Sequence, residues 1–177
     1  MASNGAGSAV LLRISEAYAG RGDNHVHINL MLGSREGPVG QTFLNVLASP
    51  RPGHVPFLVV LQPNVPVWPP VLYVNKAELR GEVHARLTWG ASQAGVAEGM
   101  RDALRAGALD GYDREEVLIV IAVFIGWSAG DEALVRDNSR EAMRLALLRA
   151  GGNEGYAADF LDESLEPFNS FYHMPGA

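Results

Sequence analysis

Between His25 and Leu32 polar and apolar side chains alternate: Val26, Ile28, Leu30 and Leu32 fall on one side, and His25, His27, Asn29 and Met31 on the other. A period of two marks a strand with one face in a core, so two histidines and an asparagine are predicted together on the opposite face. Residues 9–18, AVLLRISEAY, predict a strand before it, with the GRGD sequence at 20–23 as the intervening turn. After a turn at 33–38, Phe43, Leu44 and Leu47 recur at helical spacing, which predicts a short helix over 40–49 closed by Pro50 to Gly53.

Segments 54–62 and 71–79 are β-branched and aromatic and predict two more strands, joined by a stiff loop carrying Pro63, Pro66, Pro69 and Pro70. Residues 80–89 alternate like a strand but have a helix-tolerant composition, and both readings stay open. From Ala91 to Leu109, Val96, Met100 and Leu104 mark a helix with a small-residue side at Ala97 and Ala103. The continuously apolar VLIVIAVFI at 117–125 predicts a central strand buried on both faces. Asp131 is the expected N-cap of a last helix, with Leu134, Val135, Ala142, Leu145, Ala146 and Arg149 along one side and a stop at Gly151 and Gly152. The order ββαββ, an ambiguous segment, then αβα predicts a single α+β domain over 9–150, a mixed or antiparallel sheet backed by helices on one side. A flexible leader (1–8) and an acidic, aromatic C-terminal extension (151–177) flank it.

Composition narrows what such a domain can do. The 177-residue chain carries no cysteine, which removes thiolate metal sites and cysteine nucleophiles, and its net charge of −6 offers no footprint for a phosphate backbone. Nucleic acid is therefore not an expected partner. The longest apolar run is about half of what a membrane span needs, and the N-terminus lacks a signal-peptide core. The expectation is a soluble cytoplasmic protein with no membrane partner.

The general catalytic motifs are absent: no nucleophile elbow, phosphate-binding loop or HExxH stands in the chain. His25-x-His27 on one strand face has the spacing of a metal pair but no evident third ligand, and no metal site is assigned. A histidine on a strand face lining a cleft can serve as general acid or base near neutral pH, or be a satisfied structural residue; spacing alone does not separate His27 from His54, His84 or His173. Lys76 stands out because it is the one lysine among 14 basic residues. An arginine bias that spares a single position sets a functional reading, the binding of an anion or a carbonyl oxygen, beside the ordinary one of a solvated surface charge. Gln93 either hydrogen-bonds a heterocycle or caps a helix start, and Trp127 is expected in the core or an interface.

Several segments together are more specific. HINLMLG (27–33), FLNVL (43–47), FLVVLQPNVP (57–66), VNKAEL (74–79), QAGVAEGMRDAL (93–104) and VFIGWSAGDE (123–132) run without an evident gap from about Ser15 to Arg149. In these segments the chain resembles the formaldehyde-activating enzyme family, which condenses formaldehyde with tetrahydromethanopterin to methylene-tetrahydromethanopterin and water. The resemblance implies the ribosomal protein S5 domain 2-like fold and a homopentamer with sites between neighbouring subunits. It places His27 on the family's catalytic histidine, the proposed acid, and Leu58, Lys76 and Gln93 on positions lining the pterin pocket. Asn29 stands where the family has an aspartate and Glu78 where it has a threonine. Ala94 replaces an arginine, Gly126 replaces a histidine, and the cysteine of the proline-rich loop is gone.

The chemistry implied needs a proton. A pterin nitrogen attacks formaldehyde, and water must leave the carbinolamine before the second nitrogen closes the ring; an imidazolium at His27 would donate to the departing hydroxyl. Carbon keeps its oxidation state, so no permanently bound cofactor is expected, and the reduced pterin is a co-substrate. Asn29 in place of aspartate removes a charge that favours the imidazolium, and Glu78 adds an anion expected to pair with Lys76 on the same strand face. Those two changes also motivate an alternative, a paralogue that binds or senses a pterin or formaldehyde adduct without turnover.

Overall fold

In the computed structural model, which describes residues 12–152, the alternating segment forms strand β2, Val26–Ser34. Val26, Ile28, Leu30 and Leu32 are fully buried, while His27, Asn29 and Met31 lie on the other face and are partly accessible. It pairs antiparallel with β1, Arg13–Ala19, on one side and with β7, Val117–Ile125, on the other. The apolar β7 is central, as its composition predicts, because its far side pairs in parallel with β6, Val71–Asn75. A short β3, Phe57–Leu58, closes the five-stranded sheet in the order β1-β2-β7-β6-β3. The sheet is mixed and the domain α+β, as expected.

The predicted strand at 54–62 is split. Val59 bonds through its N–H to Val71 and through its carbonyl to Val67, so the chain leaves the main sheet there. The next residues, β4 (Val60–Gln62), pair instead with β5 (Val65–Pro66) in a separate ribbon. The ambiguous stretch is helical: α2, Gly81–Arg86, runs through a wide π-helical turn, Leu87–Ser92, into α3, Gln93–Arg105. Two bonds of the buried His84, one local and one long-range, hold it there. Its Nδ1 accepts from the Arg80 N–H at 3.2 Å, and its Nε2–H donates to the Ile125 carbonyl at 3.2 Å.

Helices α3 and α4 (Glu132–Gly151) cover the face carrying Ile28, Leu30 and Leu32 and share one core with it, through Met100, Met143 and Leu147. Asp131 caps α4 as predicted, accepting from the Leu134 N–H at 3.0 Å. Along α4 the buried row is Val135, Ser139, Ala142, Met143, Ala146, Leu147 and Ala150, with Leu134 exposed. The small side of α3 faces α4 of its own chain: a Cβ on Gly95 would lie 2.1 Å from the Arg136 carbonyl oxygen, and one on Gly99 2.2 Å from that of Arg140. Backbones that approach this closely require glycine.

One expectation fails at the layer level. Helix α1, Pro38–Ala48, packs on the opposite face of the sheet, where Val39 and Phe43 meet Leu72 and Val120 in a second, smaller core. The physical reason is that β7 and β6 carry apolar residues on both faces, so both need cover. This second face is the one that bears His27 and Asn29. Of the terminal calls, residues 1–8 and the extension beyond Gly152 lie outside the described residues.

Candidate active site

Antiparallel register assembles the site from strands that are remote in sequence. Across from His27 stand Tyr18 on β1 and Phe124 on β7, and across from Asn29 stand Glu16 and Ala122. Glu16 is thus one diagonal step from His27 on the same face, and the His27 Nε2–H donates to its carboxylate at 2.6 Å. Lys76 follows the end of β6, where its N–H donates to the Val123 carbonyl at 2.7 Å and so prolongs the pairing with β7. Its side chain reaches back so that Nζ stands 3.1 Å from His27 Nδ1.

The partners assign the protons. A carboxylate can only accept and an ammonium can only donate, so the neutral imidazole carries hydrogen on Nε2 and offers the Nδ1 lone pair to Lys76. Moving one proton from Lys76 to His27 turns a carboxylate–imidazole–ammonium row into a carboxylate–imidazolium–amine row with the same net charge. Burial lowers the Lys76 pKa from its ordinary value, an effect partly opposed by the charge of Glu16. The amine form is therefore more accessible than in a free lysine. The His27 side chain is 18% exposed and that of Glu16 59%.

Lys76 stands at the rim of a cleft of about 720 Å³ between the end of α1 and the end of β6, bounded by Asn45, Ser49, Arg51, His54 and Ala122. That volume lies within the ordinary range of small-molecule sites. Asn75 fastens the cleft wall: its amide donates to the carbonyls of Gly53 and Ala77, and its own carbonyl accepts from the His54 Nδ1–H at 2.9 Å. On the other side of His27 lies a row of rings. His25 stacks on Tyr18 at 5.4 Å and tilts against Phe124 at 5.5 Å, Phe124 meets Trp127 edge-on at 5.3 Å, and the Arg80 guanidinium sits 3.8 Å over Trp127. Trp127 is thus partly exposed on the site side, at 46%, rather than core.

The other sequence-predicted residues separate into those near His27 and those remote from it. Asn29 is next on the same strand face, and its amide makes no hydrogen bond to a described residue. Glu78 does not pair with Lys76: β6 ends at Asn75, so the period of two does not extend to positions 76 and 78. The Glu78 side chain packs instead over Gly53, where a Cβ would come within 2.7 Å of its Cγ. Leu58, 44% exposed on edge strand β3, lies three strand spacings from β2, roughly 14 Å. Gln93 starts α3 on the far face of the sheet, with its Oε1 accepting the Val60 N–H at 3.0 Å. One chain therefore brings His27, Asn29 and Lys76 together, and leaves Leu58 and Gln93 apart from them. At Gly126 a Cβ would lie 2.0 Å from the Asp23 carbonyl oxygen, so the turn at 22–24 in this chain has no room for a side chain there.

Glu16 is the participant that sequence reasoning missed. Its signal was the hairpin register, which sets Glu16 opposite Asn29 once β1 and β2 are paired about the GRGD turn.

An imidazole held between a carboxylate and a partly buried amine that lines a cleft is an arrangement suited to acid–base chemistry. Comparison with known proteins specifies its kin. The model of the formaldehyde-activating enzyme family matches residues 14–171, and the chain belongs to that family. A 5,6,7,8-tetrahydromethanopterin hydro-lyase of Methanosarcina barkeri (strain Fusaro / DSM 804) is 39% identical over 137 residues, 77% of each chain. Bifunctional Fae/Hps enzymes of Methanoculleus marisnigri and Archaeoglobus fulgidus are 37% and 33% identical over 77% and 90% of this chain, which spans 35% and 40% of their respective lengths. Among the described residues, no helix is long and apolar enough to cross a membrane.

Proposed function

We propose that this protein is a lyase that condenses formaldehyde with tetrahydromethanopterin, or a closely related reduced pterin, to the methylene-pterin and water. The observation that carries the reading is the placement of His27, hydrogen-bonded to both Glu16 and Lys76, the latter lining the cleft. The names and identities of the relatives support the substrate pair.

The residues divide the work. Lys76 supplies a proton to His27 Nδ1, and the Glu16 carboxylate gives the resulting imidazolium a partner. The imidazolium then protonates the carbinolamine hydroxyl, which departs as water. A positioned acid of this kind contributes typically 10²- to 10⁴-fold, and holding two reactants in one cleft adds the entropic advantage of an intramolecular reaction. No electron changes hands, so the reaction itself calls for no redox cofactor. The family resemblance implies a ring of five, and the separation of Leu58 and Gln93 from His27 within one chain fits a site to which a neighbouring copy brings its own Leu58 and Gln93. The acidic chain is assigned to the cytoplasm, where its small-molecule substrates would be met.

The test is the rate of methylene-pterin formation, native against His27→Ala at matched assembly state. The expected result is a native acceleration that falls by about 10²-fold or more in the variant. A native protein that does not accelerate the condensation sinks the proposal.

A further inference from the structure

Resting on the assignment of formaldehyde as substrate, we infer that Lys76 holds the aldehyde carbon covalently, as a protonated imine, before passing it to the pterin nitrogen.

The geometry is that of a nucleophilic amine with its base in place. Nζ lies 3.1 Å from His27 Nδ1, and the other ring nitrogen is occupied by Glu16. The imidazole lone pair is thereby aimed at the lysine, and the carboxylate stabilises the charge that proton transfer creates. Desolvation further favours the neutral amine. The amine also stands at the rim of the cleft that would hold the acceptor. A merely electrostatic role would be served by arginine, the residue this chain uses at every other basic position. Arginine cannot form an imine, because its guanidinium stays protonated.

The steps balance without any further reagent. Lys76 transfers a proton to His27, and its lone pair forms an N–C bond to formaldehyde. The carbonyl π pair moves to oxygen, which takes up the proton the nitrogen loses, giving a carbinolamine. His27, as imidazolium, protonates the hydroxyl; the C–O bond breaks, water leaves with its pair, and the nitrogen lone pair closes C=N. The pterin secondary amine then adds to the imine carbon and loses a proton. Lys76, reprotonated, departs with the C–N pair and leaves an iminium on the pterin. The second pterin nitrogen closes the ring with release of a proton. Formaldehyde and pterin become methylene-pterin and water, and Lys76 and His27 return to their starting forms.

The test is reductive trapping. The native protein and an equal concentration of Nα-acetyl-lysine are treated in one tube with limiting formaldehyde and cyanoborohydride near neutral pH. Methylation is followed by peptide mass spectrometry, where a chain with one lysine yields an unambiguous assignment. Lys76 is expected to be methylated roughly 10²-fold faster than the reference amine, the low end of what a positioned acid supplies, and to be protected when tetrahydromethanopterin is added. In parallel, Lys76→Arg is expected to lose turnover to a similar extent while keeping the native assembly. Methylation no faster than the reference, or native turnover by Lys76→Arg, overturns the inference. The two readings fail separately: active condensation with slow labelling leaves the pterin reaction standing and removes the imine. Fast labelling that pterin neither suppresses nor consumes, without condensation, keeps the covalent site and removes the pterin assignment.

Discussion

Glu16→Gln isolates the charge behind His27 from its geometry. The amide is nearly isosteric and can still accept the Nε2–H, so the ring orientation and the Nδ1 lone pair aimed at Lys76 are kept, and only the anion is lost. At the observed 2.6 Å Coulomb's law gives about 1.6 kcal/mol between unit charges in bulk water and several-fold more at a typical protein-surface dielectric. Because the Glu16 side chain is 59% exposed, the aqueous end of that range applies. A loss of about 1.4 kcal/mol in imidazolium stabilisation corresponds to roughly a tenfold fall in kcat. The assay is methylene-pterin formation with kcat and KM resolved, since the lost anion should lower kcat while KM moves little. A variant whose KM rises with kcat unchanged would refute the electrostatic role, and one with native kcat and KM would refute any role.

Two further outcomes concern the fold. Gly99→Ala gains about 1 kcal/mol in helix propensity, but its methyl would stand 2.2 Å from the Arg140 carbonyl oxygen; with overpacking costs of about 1–3 kcal/mol or more, a net destabilisation is expected, read as a lower urea midpoint, and an unchanged or raised midpoint would show that α3 and α4 separate freely. The Arg140 guanidinium bonded to Asp102 holds that carboxyl below its ordinary range, so the pair contributes stability above the unfolded carboxylate value and loses it as pH falls through the lower folded one; Arg140→Ala should therefore be slightly less stable than native at neutral pH, with the gap closing on acidification, and a gap that persists in acid would assign the effect to packing.

Positions whose environment follows from local period were legible in the sequence. The alternation around His27, the unbroken apolar run of β7 and the Asp131 cap each follow from neighbours a few residues away. The lysine could be singled out by its singularity among arginines, whereas a place on a strand face did not by itself separate His27 from His54, His84 or His173. What escaped depends on contacts between distant segments. Glu16 acquires its role only from the β1–β2 register, and residues 80–89 become helical because His84 bonds to the end of β7. The strand at 54–62 divides because Val59 answers to two different partners. The expected Lys76–Glu78 pair assumed a strand running to residue 79, whereas the one that forms ends at Asn75. Gln93 and His27, both expected at one pocket from the family resemblance, lie on opposite faces of a sheet whose order no local pattern contains.

The Glu16–His27–Lys76 row also has a history within each molecule. Its first link spans 11 residues and joins the two arms of a hairpin, a contact of the kind made early and locally. Its second link spans 49 residues and exists only after β6 has settled in parallel beside β7, itself already paired to β2. Parallel pairing across such a separation is slow to form, because the loop-closure entropy comes before the contacts that offset it. A refolding chain would therefore hold its imidazole on the carboxylate well before the amine arrives, and a partly folded chain would lack the complete row. Lys76 would take its place in it last, when the whole sheet has formed.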